Sequence, residues 1–389
     1  MGEHSFFTLS VHAGEDREAN FGALSVPIYP ASVFAFTDAE EGIAIHNYER
    51  PGYFYGRLGN PTVSALEKAM AELEGADDAI GFASGMAAIS AAILTAAKTG
   101  DHIVAPESMY STTTNLLRHI AERFDIETTF VDATEAGAYA AAIRPETKLF
   151  GIKTPSNPLV GITDIRRVTA VAKEHGVMTV ADNTFATPFN QQPIELGCDA
   201  VIHSATKYLG GHSDLTAGVL AGKADFVDRA RHGQAKLFGG NIAPQVAWLV
   251  LRGIKTLALR MERHNANAMQ LATDLTGHPK VSAVHYPGLE GHKGHAIAAS
   301  QMRGIGGMMG VDVWTAEAAK DLVNKLRVCT FATSLGGVET LVQPVALMTH
   351  ATLSAEERAR AGVSDGLLRI SVGIEDINDI RQDIYDALA

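Results

Sequence analysis

A chain of 389 residues with 46% hydrophobic and 20% charged residues is long enough for two or more packed units, and its formal net charge of -12 repels nucleic acid and anionic membranes at long range. Its two cysteines, Cys198 and Cys329, lie far apart and build neither a disulfide framework nor a zinc ribbon, which fits a reducing cytoplasm. The first ten residues lack a basic region followed by an apolar run, and no stretch approaches ~20 unbroken apolar residues, so no membrane segment is expected.

Residues 1–60 carry no sustained helical period. Pro27, Pro30, Pro51 and several glycines break them into extended pieces rich in aromatics such as Phe34, Phe36, Tyr53 and Tyr55, an arm that must lean on something. From Thr62 the pattern changes: Leu66, Ala69, Met70 and Leu73 recur at helical spacing, and Asp78 to Phe82 reads as a strand. Further strands are expected at Ile103 to Ala105, Thr128 to Val131, Leu149 to Lys153, Met178 to Asp182, Ala200 to Ser204 and Ala217 to Leu220, with helices near 86–97, 109–123 and 163–175. Apolar strands joined by helical crossovers indicate an α/β fold with a mostly parallel sheet. A long helical stretch, roughly Pro244 to Leu275, then leads to a smaller C-terminal unit of strands and helices that ends near Asp376 to Leu388. The expected division is an arm over 1–60, an α/β domain over 61–243 and a C-terminal domain over 244–389.

The most informative segment, His203-Ser204-Ala205-Thr206-Lys207-Tyr208, follows an apolar strand directly. An ammonium at the end of a buried strand is costly to desolvate without a partner. An aldehyde cofactor would supply one: the amine forms an imine, and once substrate displaces it the free amine carries protons. Taken alone, such a lysine could simply snorkel to solvent. Ser204 and Thr206 could present hydroxyls to a phosphate, or act as turn residues. Asp182 ends the run Val177-Met178-Thr179-Val180-Ala181 at the same sheet edge and could pair with a protonated pyridine nitrogen, or cap a helix. Ser84-Gly85-Met86 opens an Ala-rich helix whose first N–H groups suit a phosphate, and Arg57 offers a guanidinium for the same anion. His292 and His295 have ligand-like spacing but no third ligand nearby, so no metal site is expected.

Several ordered motifs cover almost the whole chain: Tyr55-Gly56-Arg57 with Asn60-Pro61-Thr62, Ser84-Gly85-Met86, Pro155-Ser156-Asn157-Pro158, Asp182-Asn183-Thr184, Ser204-Ala205-Thr206-Lys207, Ser334-Leu335-Gly336-Gly337 and Arg369-Ile370-Ser371-Val372-Gly373. Together they resemble the Cys/Met-metabolism family of fold-type I pyridoxal 5'-phosphate (PLP) enzymes. The resemblance implies that Lys207 holds PLP, that Asp182 faces its ring nitrogen, and that Tyr110 stacks on the ring and exchanges protons with substrate. It gives Arg369 and Asn157 to the substrate α-carboxylate, with Asn157 also touching the cofactor. It sends Tyr55 and Arg57 into the neighbouring subunit's site, and it implies a homotetramer built as a dimer of dimers.

What the family does with its shared chemistry depends on pocket residues. Thr333 stands where cystathionine γ-synthases and γ-lyases carry Glu, and Leu335 where bacterial cystathionine β-lyases carry Trp. The texture of Trp248-Leu249-Val250-Leu251-Arg252-Gly253 and of Leu341-Val342-Gln343 with Met348-Thr349-His350 is similar to methionine γ-lyases. Those enzymes carry Cys where Thr112 stands and Lys-Asp where Ala235-Lys236 stands. The resemblance therefore implies a γ-lyase acting on methionine, cystathionine, an O-acylhomoserine or a canavanine-like amino acid, with Ser334, Leu335, Thr112 and Thr333 in the substrate pocket. A γ-replacement enzyme is the alternative reading, and a cystathionine β-lyase a weaker one.

Overall fold

The computed structural model describes residues 4–349, 351, 356, 358 and 362–389. The motif Met348-Thr349-His350 lies partly outside these, since His350 is not among them. All seven expected strands of the first unit form: β1 (Asp78–Phe82), β2 (His102–Pro106), β3 (Glu127–Val131), β4 (Thr147–Lys153), β5 (Met178–Asp182), β6 (Ala200–Ser204) and β7 (Gly218–Gly222). They make one sheet in the order β1-β7-β6-β5-β4-β2-β3. Pairings β6–β5–β4–β2–β3 are parallel, whereas β7 runs antiparallel to both β6 and β1. The exception has a simple cause: residues 205–217 return from β6 to β7 without a helical crossover, and a parallel return needs one.

Alternate residues of the central strands feed opposite cores. Val201, Val219 and Ala221 pack with Leu66, Met70 and Leu251 on one face; Ile202, Leu220, Ile80 and Phe82 pack with Ile89 and Ile93 on the other. The helices that cover these faces start on clear signals. Asn60 caps Pro61–Glu74 by accepting from the Thr62 N–H, with Pro61 in the first turn, and the helix stops at Gly75 in a left-handed conformation (φ 67°).

The single long helix expected from Pro244 to Leu275 is two helices, Pro244–Ile254 and Leu257–Leu275. Arg260 helps to explain why the break is stable: its guanidinium donates to the Gly253 carbonyl, a group that a continuous helix would have paired, and is anchored by a second bond to the Tyr208 carbonyl. Beyond it a second sheet forms from β8 (Ala283–His285), β9 (Met308–Asp312), β10 (Thr330–Phe331), β11 (Leu341–Pro344) and β12 (Leu367–Ser371), in the order β10-β11-β12-β9-β8. Helices Leu257–Leu275 and Ile377–Leu388 cover it over a shared apolar cluster.

The arm differs from its expected form in part. Residues Phe6–His12 and Ala39–His46 are helical, and the first of these packs on its own chain, with Phe6 edge-on to Phe189 and Lys255 paired to Glu15. Later arm residues stay uncovered: Phe21 is 98% exposed and Leu24, Val33 and Ile43 are also exposed. Among the described residues no helix is long and apolar enough to cross a membrane.

Candidate active site

The carboxyl ends of β1, β4, β5 and β6 open on a cavity of about 470 Å³, closed from the other side by residues 333–335, Gln343 and Arg369. Crevices at strand carboxyl ends are where open α/β sheets place their ligands. The cavity is lined by Ser84, Gly85, Met86, Tyr110, Asn157, Asp182, Ser204, Thr206, Lys207, Thr333, Ser334, Leu335 and Arg369, so thirteen of the residues expected from the sequence converge there.

Lys207 lies three residues beyond the end of β6. That strand is fixed from behind, where His203 Nε2 meets the buried carboxylate of Glu74 and the Ser204 N–H donates to Thr184 Oγ1. The Lys207 ammonium donates to Ser334 Oγ at 2.6 Å. Burial, reinforced by the charge of Arg369, pushes its pKa down to about 8, because both penalise the protonated amine. Asp182 ends β5 and accepts the Thr184 N–H. Burial alone would raise its carboxyl, but the neighbouring Lys153 ammonium and bonds from Thr184 outweigh that and hold it below the usual carboxylate range.

On the facing wall Arg369, in β12, donates to Asn157 Oδ1 (3.1 Å), the Ser334 carbonyl (2.8 Å) and Gln343 Oε1 (2.8 Å), and burial lowers its pKa to about 10. Ser334 thus touches both Lys207 and Arg369, and it does so from a left-handed backbone (φ 77°) that costs a non-glycine residue about 1–3 kcal/mol. Gly336 follows at φ 76°, where a Cβ would lie 2.7 Å from the Tyr208 nitrogen; the glycine lets this loop press against the lysine segment.

The Ser84–Gly85 end of the cavity is equally specific. Ser84 uses its hydroxyl to cap the helix Gly85–Ala96 by accepting the Ala87 N–H, which leaves the first N–H groups of the helix without intrahelical partners. A Cβ on Gly85 would sit 2.7 Å from Ser204 Cβ, so only glycine brings the two edges this close. Thr206 exchanges hydrogen bonds with Ala217.

Three expected site residues do not line this chain's own cavity. Thr112 is exposed on the first turn of helix Ser111–Phe124. Tyr55 and Arg57 are the two that the resemblance assigns to the neighbouring subunit's site; within this chain Arg57 stacks on Tyr55 and donates to the Lys236 carbonyl. His292 and His295 bond locally, to the Gly294 N–H and the Pro287 carbonyl, and among the described residues no group of three or more potential metal-ligating His, Cys, Asp or Glu side chains is assembled.

The family described as Cys/Met metabolism PLP-dependent enzyme matches residues 7–389. The chain belongs to that family. It is 42% identical to an L-methionine gamma-lyase of Fusobacterium nucleatum, over 100% of this chain and 99% of that one, and 44% identical to a cystathionine beta-lyase of Lactococcus lactis, over 99% of each. Its fold superposes with a TM-score of 0.95 on an O-acetylhomoserine (thiol)-lyase of Campylobacter jejuni, solved with a pyridoxyl-lysine 5'-monophosphate, at 30% identity and covering 99% of this chain and 100% of that one. The fold is PLP fold type I, and the cofactor is PLP.

The residues present fit this family's cofactor. A lysine whose pKa is lowered to about 8, a half-buried, ionised aspartate and a glycine-floored helix start face one cavity. PLP needs those three features: an amine, a counter-ion for its ring nitrogen and a phosphate cradle.

Sequence reasoning missed several lining residues: Lys153, Thr184, Phe185, Thr216, Gln343 and Thr349. Lys153 carried a readable signal, since it closes the apolar run Leu149 to Ile152 as Asp182 closes its own. The others come from separate loops and strands, and only the register of the second sheet brings Gln343 opposite Arg369.

Proposed function

We infer that this PLP enzyme is a γ-lyase, releasing the γ-substituent of a small amino acid to give an α-keto acid and ammonia. The observation that carries the reading is the Lys207–Ser334–Arg369 chain of contacts, which sets a mobile proton carrier beside a carboxylate clamp. When bound, PLP supplies an electron sink for charge developing at Cα. Arg369, oriented by Asn157 and Gln343, holds the substrate α-carboxylate. With a pKa near 8, Lys207 is partly neutral at physiological pH and takes the Cα proton. It then serves a second time at Cβ, which γ-elimination requires and β-elimination does not. Tyr110, 47% exposed at the mouth, would face the cofactor and pass a proton to or from the substrate, and Ser84, Gly85, Met86, Ser204 and Thr206 would hold the phosphate.

The lining favours a neutral side chain. Among the described lining residues Asp182 is the one carboxylate, and it is already paired with Lys153, so a distal ammonium has no counter-ion there. Thr333 and Leu335 make that end of the pocket, which suits methionine or an O-acylhomoserine better than cystathionine. The similarity to a thiol-lyase supports a second reading, γ-replacement by an incoming thiol. Initial rates with methionine, O-acetylhomoserine and cystathionine separate these: α-ketobutyrate from the first two supports γ-elimination. Pyruvate from cystathionine as the dominant product, or thiol incorporation without keto acid, contradicts it.

The same reading makes the protein a cytoplasmic homotetramer, a dimer of dimers in which Tyr55 and Arg57 complete the partner's phosphate site. It divides the chain into an arm (1–60), a PLP-binding domain (61–243) and a C-terminal domain (244–389). Exposed Phe21, Leu24, Val33, Leu237 and Phe238 support a covering partner. Mixing inactive Arg57→Ala and Lys207→Ala subunits tests it: shared sites regain part of the activity on mixing, and sites confined to one subunit do not.

A further inference from the structure

Lys153 is a second lysine on the cavity wall, and no step of the proposed reaction uses it. It ends β4, in register with Asp182 at the end of β5. Its side chain is 3% exposed, with Nζ 3.3 Å from Asp182 Oδ1 and 4.2 Å from the centre of the Phe185 ring. Oδ1 also takes the Thr184 N–H; Oδ2 is in neither contact. Beneath it lies a small apolar cavity of about 60 Å³, walled by Ile89, Ile103, Leu149 and Val180, so Asp182 and the Phe185 ring are the stabilising partners that face the ammonium. A buried ammonium is tolerated only where such partners exist.

The carboxylate that Lys153 holds is the one the proposed site reading gives to the protonated ring nitrogen of PLP. Two cations then claim one anion. We propose that Lys153 is a positioning residue that acts through Asp182: it supplies the aspartate's counter-ion in the cofactor-free chain and competes with the ring nitrogen for that charge in the loaded enzyme. By linkage, a group that stabilises the cofactor-free state more than the loaded one weakens cofactor binding. Lys153 therefore makes PLP more readily exchangeable. A lysine that merely supported the site would do the reverse, since its loss would loosen PLP.

The experiment is a PLP titration of cofactor-free protein, followed by absorbance, together with melting of the cofactor-free and loaded forms, all without substrate. Lys153→Met is expected to lower the melting temperature of the cofactor-free form more than that of the loaded form and to tighten PLP binding by about tenfold. Lys153→Arg, which keeps the charge, is expected to stay within about twofold of the unaltered chain. Should Lys153→Met leave the cofactor-free form unfolded, the off-rate of PLP from the loaded form reads the same competition: slower release supports it. Weaker or unchanged PLP binding, or faster or unchanged release, in Lys153→Met overturns it. The inference rests on the assignment of Asp182 to the ring nitrogen, and Asp182→Asn separates the two. If Asp182→Asn binds PLP as tightly as the unaltered chain, the assignment fails and the competition with it. If Asp182→Asn binds weakly while Lys153→Met binds no tighter, the competition alone fails.

Discussion

The two walls of the cavity are built differently. The sheet-side wall consists of strand ends and a helix start, with Asp182, Ser204 and Gly85 fixed by ladder register and backbone bonds. The facing wall is a loop, residues 333–337, leaning on β12 and held in a left-handed turn at Ser334. A ligand common to a whole family can rely on the rigid wall, whereas selection among substrates belongs to loops that vary without disturbing the sheet. Loss of Lys207 or of the sheet-side groups assigned to PLP should abolish cofactor chemistry, and changes on the loop side should redistribute substrates.

The sharpest division comes from Lys207→Ala, which is expected to cut turnover by roughly ten-thousandfold and to remove the visible absorption of the bound cofactor. Arg369→Lys keeps the charge but loses the planar fork; KM for the amino acid is expected to rise about a hundredfold, with PLP binding unchanged in an absorbance titration. A comparable loss of PLP from Arg369→Lys would break the distinction between the walls. Thr333→Glu should raise kcat/KM for cystathionine relative to methionine by about tenfold, by supplying a carboxylate for the distal ammonium. The smallest effect is in pH. Only the neutral Lys207 amine attacks an aldehyde, so PLP capture by cofactor-free protein should speed up roughly fivefold from pH 7 to pH 8 and level off above the pKa of about 8. The sign for stability is the same: the folded pKa lies below the unfolded one, so the desolvation penalty is present in full below about 8 and fades as the amine loses its proton in the folded state.

Much of the sheet-side wall was legible because short apolar runs mark buried strands and a polar residue closing such a run marks the sheet's edge. Met178 to Asp182 and Ala200 to Ser204 have the same bounds in the sequence reading and in the fold. The same rule applied to Lys153 would have found the ion pair with Asp182, whose physical cue is a charge ending an apolar strand. The facing wall was legible only through motif resemblance. Gln343 and Thr349 reach the cavity through the pairing of β11 with β12 and the loop beyond β11, and no local periodicity reports that. The break at Lys255 and Thr256 was hidden for a related reason: Arg260, which makes it tolerable, bonds to a carbonyl 52 positions away. Thr112 is exposed on the first turn of its helix, an orientation for which the sequence carries no local cue.

The decisive measurement is peptide mapping by mass spectrometry after borohydride reduction of the PLP-loaded protein. Lys207 and Lys153 are both lysines lining the cavity, so the map must choose between them. A pyridoxyl group on the peptide containing Lys207, with Lys153 unmodified, is the predicted result; a pyridoxyl group on Lys153, or none on Lys207, contradicts the account.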